Sequence, residues 1–586
     1  MKSKINIHFR IYLLILFPAL LGAGLIFFQL FKLVTVQSAY YRQFAHQYSI
    51  KRFKVNPERG KIFSADGKLL AINVPKYNVW FDPMVVKSDK DYYAHVPPLA
   101  RGLAKYVGKT PAYWEKKLKE RRKQRRRYLF IGENIDFQTF NQIKKLPLFK
   151  RGRFKGGFVY ESIHAREYPF GDILRRTIGR SDEKIKYGIE GAYDKILSGK
   201  PGWQLKHKIN SKYWKPVNDF NEVDPVDGKD LVLSVDMQFQ DIAYQTLLKQ
   251  LQKYNADHGC VVIMEAQTGF IKAIVNLGQK TDGAYHEIRN YAVGENYEPG
   301  SVFKPFTFLA LLEDNKVDTN TVFTIENNVY QYYDLKIRDA HHYETPLKMT
   351  VSEALAKSSN IVTVMMTDKF YRQNPVAFVN RISDGFGLGR KLGVDIKGEA
   401  QPVIPHPDDK ENWKVYKLGM MAYGYTVKLT PLQILAYYNA FANGGIVLKP
   451  QFVEKILHNG KETRIKPVVI NRQLAGKENL NKLAFMLRKV VTEGTATNLN
   501  SPYVAIAGKT GTTQTEYWTG NTQYIASFAG WFPYEKPQYS MIVVIHKPDK
   551  NIGYYGNAVA GTVFREIAEQ IQGLTPDTIY VALKNN

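Results

Sequence analysis

At 586 residues and 44% apolar composition the chain can bury a large core in two to four domains, which excludes intrinsic disorder. Its formal net charge of +28 would suggest a nucleic-acid partner in a cytosolic protein, whereas in a membrane-attached ectodomain it suits anionic head groups and wall polymers. A single cysteine, Cys260, excludes an internal disulfide, and its place in the apolar run CVVIM reads as a small buried hydrophobe and not as a catalytic thiol.

The first predicted element is Ile11–Phe31, IYLLILFPALLGAGLIFFQLF, which carries no charge. As a helix it would be about 32 Å long against about 30 Å of hydrocarbon, so it can span a bilayer. Gly22-Ala23-Gly24 offers small residues for signal-peptide cleavage, but the apolar run continues through Phe31. Lys2, Lys4 and Arg10 precede the span, while Lys32, Arg42 and Lys51 follow it. The expected arrangement is a short tail, residues 1–10, in the cytoplasm, an uncleaved anchor at 11–31, and about 550 residues outside the cytoplasmic membrane.

Residues 37–225 alternate short strand-like runs with turns, as in KIFSADGKLLAI (Lys61–Ile72) with its Asp66-Gly67 hairpin signal, and read as an irregular, β-rich pedestal. Within it, Arg101–Arg127 holds twelve Lys or Arg against two acidic residues. A solvated helix or loop is the simpler reading of such a run, and a patch for an anionic partner the alternative.

From about residue 226 the pattern sharpens into a second domain expected to end near 575, with 576–586 as a tail. DLVLSV (Asp230–Val235) reads as a strand, Asp236 as the cap of a helix to about Tyr254, and CVVIMEAQTGFIKAIV as a hairpin turning at Gln267-Thr268-Gly269. Thr350 with Glu353, and Thr430-Pro431 with Gln433, mark helix starts, and the second helix should close at Asn443-Gly444-Gly445. YIASFAGWF (Tyr524–Phe532) and YSMIVVIHK (Tyr539–Lys547) should pair as strands before a last helix, VFREIAEQI. The expected class is α+β: an antiparallel sheet flanked by terminal helices, with a helical subdomain inserted between strand groups.

One residue disturbs this pattern. EPGSVFKPFTFLALLEDN (Glu298–Asn315) reads as the start of a buried helix, yet it places Lys304 among Phe303, Phe306 and Leu309. A buried ammonium is costly and tends to lose its proton, so Lys304 is either a snorkelling surface residue or a tuned base. Ser301 lies three residues earlier, one helical turn away, where its hydroxyl could be deprotonated by Nζ. A lone SxxK arises often by chance. Two further elements accompany this one, Ser358-Ser359-Asn360 after a helix and Lys509-Thr510-Gly511 on a strand, at intervals of 57 and 151 residues. Ordered SxxK, SxN and KTG elements form the acylation set of serine-type penicillin-recognising enzymes.

On these residues the chain resembles a class B penicillin-binding protein, the monofunctional peptidoglycan D,D-transpeptidase. RGKIFSADGKLLA, AREYPFG and YGIEGAYDKILSG look like the family's pedestal motifs, and EPGSVFKPF, KSSN and GKTGTTQ like its active-site motifs. The resemblance implies the penicillin-binding transpeptidase fold, with Ser301 as nucleophile and Lys304 as the base, its charge disfavoured by burial and by Lys509. Ser358 would relay a proton to the leaving amine, and Asn360 would hold Lys304 and the donor peptide. Lys509, Thr510 and Thr512 would fix the substrate carboxylate. Gly511 would leave room for an extended substrate, and the N–H groups of Ser301 and Thr512 would form the oxyanion hole.

The resemblance further implies no cofactor or metal, substrates ending in D-Ala-D-Ala, β-lactams as ligands, and a membrane glycosyltransferase with other division proteins as partners. YIASFAGWFPYEKPQYSMIVVIHKP and YYGNAVAGTVFREIA look more like the division branch than the elongation branch. A D,D-carboxypeptidase or β-lactamase would share the acylation set, and a non-catalytic β-lactam sensor or scaffold would share the fold. The pair His341-His342 lacks a third ligand at metal-site spacing and reads as a surface pair. No GxSxG elbow and no glycosyltransferase signature is seen.

Overall fold

The computed structural model describes residues 2–41, 50–210, 213–216, 222–516 and 521–574, so the expected tail 576–586 lies outside the described residues. The chain divides into two compact units, Met1–Arg59 with Ser198–Gly228, and Gly60–Leu197 with Lys229–Asn586.

In the first unit, Lys2–Phe31 is one helix with Pro18 inside it. Phe9–Val36 is long and apolar enough to cross a membrane, and none of it is covered by protein. Its 28 residues exceed the hydrocarbon thickness, which a tilt accommodates. The same unit holds a three-stranded antiparallel sheet, Ile50–Val55, Gly202–Asn210 and Tyr213–Pro216 in that order.

The second unit begins with the rest of the pedestal. Its long strand Leu69–Phe81 pairs with Phe158–Glu167 from Ile72↔Glu167 to Phe81↔Phe158, and with Leu129–Ile135. Ile62–Phe63 folds back onto the same strand through the Asp66-Gly67 turn, where Gly67 has φ +79°. Three helices, Asp89–Val107, Pro111–Lys123 and Phe137–Lys144, pack with these strands, so the solvated helix is the reading of the basic run that the structure adopts. The basic run lies largely on two of them. Trp114, Leu118 and Arg122 face inward, and the Arg122 guanidinium donates to Asp89 Oδ1 and to the carbonyls of Pro83 and Val86. That cation is a structural clasp, while Arg121, Lys123 and their neighbours decorate the outer face.

The larger part is organised by a six-stranded antiparallel sheet. Its order is Tyr285–His286, Ile271–Gln279, His258–Glu265, Tyr539–His546, Gln523–Phe532 and Ala507–Thr515. Side chains alternate between two faces of a strand, and both faces are buried. Val261, Ile263, Val543 and Ile545 pack under the helices Met237–Lys253 and Thr562–Leu574. Cys260, Val262, Ile542 and Val544 face the opposite core with Phe306, Leu309 and Tyr438. Burial on both sides explains why these strands read as continuous apolar runs.

The expected hairpin, closing strand pair, last helix and Asp236 cap are all present, the cap accepting from the N–H groups of Gln238 and Phe239. Both helix starts at Thr350 and Thr430 are reciprocal capping boxes. Cys260 is buried at 2% exposure, and burial pushes its thiol far above the usual range.

Candidate active site

The segment from Gly300 differs from a plain helix start. Gly300–Phe303 is a 3-10 turn, and the α-helix proper runs Lys304–Glu313 with Pro305 in its first turn, where a missing N–H costs nothing. The turn is wedged in place by two glycines. Gly300 has φ +58°, and a Cβ there would sit 2.2 Å from Thr513 Oγ1. Its N–H donates to the carbonyl of Gly424, and a Cβ on Gly424 would lie 2.0 Å from the Gly300 oxygen. Only glycine at both positions lets the two backbones approach, and this close packing presents Ser301 at the wall of a cleft.

The cleft encloses about 840 Å³ and is lined by Ser301, Ser358, Asn360, Thr510 and Thr512. Five of the eight residues singled out by sequence therefore share one cavity. Lys304 lies immediately behind it, fully buried. Its Nζ donates to the Ser358 carbonyl (2.5 Å), to Ser358 Oγ (3.2 Å) and to Asn360 Oδ1 (2.7 Å). Nζ is engaged by the Ser358–Asn360 loop and not by Ser301 Oγ, and catalytic hydrogen bonds are commonly longer before substrate binds. Burial pulls Lys304 from 10.5 down to about 7, against a raising influence from Asp339. Lys509 is likewise pushed well below its usual range, by burial first and by the neighbouring Lys304 second, and repulsion of this kind acts on both lysines.

Strand alternation divides the residues of the KTG strand between two faces. On Ala507–Thr515, Thr510 and Thr512 face the cleft, so Lys509 and Gly511 face away from it. Lys509 is fully buried, and its Nζ donates to Thr510 O (3.1 Å) and Oγ1 (3.3 Å). It supports the cleft from behind Thr510. A Cβ on Gly511 would collide with Ser527 Oγ at 2.3 Å, so this glycine serves packing behind the strand, not room for a ligand in front.

The same strand is the edge of the six-stranded sheet. The Gln514 N–H leaves that edge to donate to Tyr425 Oη at 3.0 Å. N–H directions alternate along a strand, so those of Thr512 and Thr510 leave by the same edge. Ser301, second in its 3-10 turn, belongs to the helix-start positions whose N–H groups lack an intrahelical acceptor. Neither the Ser301 nor the Thr512 N–H is used by its own helix or sheet.

Several residues of the site escaped the sequence reading. Asp339 accepts from Ser359 Oγ (2.7 Å), Asn360 N (2.6 Å) and Ile361 N (3.0 Å), and so holds the loop in which Ser358 takes φ +58°. Asn360 Nδ2 donates to the Arg338 carbonyl. Thr495 shares a hydrogen bond with Thr510 at 2.9 Å. Thr512 Oγ1 accepts from the Gly556 N–H. An aspartate cap twenty residues upstream of its loop leaves no local signature.

His341 and His342 are exposed, and His341 lines the cleft. Elsewhere, ligand atoms of His258, Glu295 and His546 lie within 4.8 Å of one another. The two rings stack at 4.1 Å with planes 20° apart. That face-to-face arrangement differs from the convergence of ring-plane lone pairs that a metal ion requires.

An antiparallel sheet whose edge strand carries KTG beside an SxxK turn and an SxN loop is the site of the serine-type penicillin-recognising class. The penicillin binding protein transpeptidase domain matches residues 259–569, and the penicillin-binding protein dimerisation domain matches residues 54–233, and the chain belongs to this family of transpeptidases. It is 26% identical to the probable peptidoglycan D,D-transpeptidase PenA of Neisseria meningitidis serogroup A, over 98% of this chain and 95% of that one. It is 25% identical to the peptidoglycan D,D-transpeptidase FtsI of Escherichia coli K12, over 92% and 87%. In fold it is similar to penicillin binding protein 2X of Streptococcus thermophilus, with a TM-score of 0.69 at 19% identity over 89% of this chain and 80% of that one.

Proposed function

We propose that this enzyme crosslinks peptidoglycan stem peptides through an ester on Ser301. The observation that carries the reading is Lys304, buried, brought to about 7 and hydrogen-bonded to Ser358 and Asn360, one turn after a cleft-lining serine. In the first step Ser301 Oγ bonds to the carbonyl carbon of the penultimate D-Ala and loses its proton to Lys304 Nζ. The carbonyl oxygen, now negative, rests against the N–H groups of Ser301 and Thr512. Each such donor contributes about 3 to 4 kcal/mol in a comparable serine enzyme. The C–N bond then breaks, and the terminal D-Ala leaves as an amine that takes its proton through Ser358 Oγ. In the second step the amine of a neighbouring stem attacks the ester, Ser301 recovers a proton, and the crosslink is released.

Thr510 and Thr512 supply hydroxyls to the donor's terminal carboxylate, with Lys509 Nζ donating to Thr510 Oγ1 from behind and orienting it. The free edge of Ala507–Thr515 lets the donor lie alongside as an added strand. β-Lactams enter by the same acylation. We assign residues 1–10 to the cytoplasm, 11–31 to a single-pass anchor in the bacterial cytoplasmic membrane, 37–225 to the pedestal, 226–575 to the extracytoplasmic transpeptidase domain and 576–586 to a tail. The likeness of Tyr524–Pro548 and Tyr554–Ala568 to the division branch supports work at the septum, beside a glycosyltransferase that supplies glycan.

Hydrolase and transferase share the first step and differ in what reaches the ester next. The test uses the protein with a partner glycosyltransferase and lipid-linked glycan precursor. Crosslinked dimers, lost in Ser301→Ala, together with a penicilloyl ester that persists for many minutes, are expected. Rapid drug turnover, or D-alanine release without crosslinks, would replace the transferase by a hydrolase.

A further inference from the structure

The wall of the cleft beside the Ser358–Asn360 loop is strongly cationic. Lys336, Arg338, His341 and Lys357 all line it and are all exposed. The carboxylate on that wall is Asp339, whose oxygens are already taken by the donors of Ser359, Asn360 and Ile361. No ion pair involves Lys336, Arg338 or Lys357 among the described residues, although Lys357 lies within electrostatic reach of Glu353. Other arginines of the same unit are paired, such as Arg166 with Glu190 and Arg381 with Asp314. Exposed single cations are ordinary on a chain of this charge. Three unpaired ones on one wall of the reactive cleft, against the single carboxylate of Asp339, leave a local excess of positive charge where a ligand must enter.

Their placement is fixed by the catalytic loop itself. Lys357 directly precedes Ser358, and the carbonyl of Arg338 receives Asn360 Nδ2 at 2.9 Å. We propose that Arg338 and Lys357, with Lys336 further along the wall, form a subsite for a second carboxylate of the acyl donor, distinct from its terminal one. That carboxylate would be borne by the donor segment preceding the scissile D-Ala-D-Ala. This rests on the donor reading above and specifies it: the preferred stem carries a free carboxylate near the reacting bond, not an amidated one.

The test uses the full-length protein in detergent and a matched pair of drugs, benzylpenicillin and its α-carboxy analogue, which differ by one carboxylate on the acyl side chain. The readout is the ratio of their second-order rates for forming the Ser301 adduct. In the wild type this ratio should fall as salt is raised. In the double variant Arg338→Ala, Lys357→Ala it should fall about tenfold or more, the size of one charge-assisted hydrogen bond. Arg338→Glu should lower it further. A general effect on folding or on the loop would slow both drugs alike and leave the ratio unchanged. An unchanged ratio in both variants overturns the subsite. If neither drug acylates Ser301 even in the wild type, the donor reading itself fails. As a second readout, crosslinking of stems with a free carboxylate should exceed that of amidated stems, and the preference should disappear in the double variant.

Discussion

The state of Lys304 makes the sharpest quantitative demand. A lysine taken from 10.5 to about 7 has its neutral form favoured by about 5 kcal/mol relative to water. At pH 7 half of the molecules then hold a ready base, whereas an ordinary lysine would offer roughly one in three thousand. Proton transfer from Ser301 needs the neutral amine, so the acylation rate should climb about tenfold per pH unit below 7 and level off above it. Stopped-flow acylation by a fluorescent penicillin between pH 5.5 and 9 measures this limb. Lys304→Arg, which keeps the cation but cannot give it up, should be as inactive as Lys304→Ala. The same shift acts on stability. Between pH 7 and 10.5 the unfolded lysine binds more proton than the folded one, so stability should rise across that window, with the full cost of burial present below pH 7. A flat rate profile, a limb that begins only near pH 10, or a competent arginine variant would refute the reasoning.

Three further outcomes follow from the same geometry. Gly300→Ala places a Cβ 2.2 Å from Thr513 Oγ1 at φ +58°, so the turn must shift and acylation should fall about a hundredfold with the protein still folded; a normal rate would show that the turn is not held as described. Asp339→Ala removes the acceptor of three hydrogen bonds, from Ser359 Oγ and the N–H groups of Asn360 and Ile361, and should lower the melting temperature and slow acylation tenfold or more, about 1.5 kcal/mol per charge-assisted bond being at stake; wild-type acylation would remove Asp339 from the site. Glu287 is buried against the N–H groups of Leu174 and Arg176, and burial raises it from 4.5 to about 8. The folded state keeps that proton to higher pH than the unfolded one, so wild-type stability is lost as pH rises from 4.5 to 8, and Glu287→Gln should gain melting temperature over wild type at pH 9 but not at pH 4. Equal differences at the two pH values would contradict this.

Much of the site was legible because its chemistry is local. Thr350 with Glu353 and Thr430 with Gln433 are three residues apart, and each pair closes as a capping box. Ser301 and Lys304 are three residues apart, and a lysine among phenylalanines left two readings, a snorkelling residue or a tuned base, between which its full burial decides. Side-chain direction on the KTG strand was open to the same reasoning, since alternation alone separates Thr510 and Thr512 from Lys509 and Gly511. What could not be read is what the chain brings together from afar. Gly424 meets Gly300 across 124 positions, and Asp339 caps a loop twenty residues downstream. The inward face of the pedestal helices was hidden by composition: Pro111–Lys123 is so rich in charge that its buried stripe of Trp114, Leu118 and Arg122 is narrow, and one member of that stripe is itself a cation.

The central claim is that one hydroxyl, that of Ser301, becomes the acyl carrier. Intact-mass analysis of the full-length protein after exposure to a fluorescent penicillin, followed by peptide mapping, tests it directly. One adduct per chain is predicted, on the peptide containing Ser301, and none in a folded Ser301→Ala variant. An adduct on any other residue, or one retained by Ser301→Ala, would contradict the account.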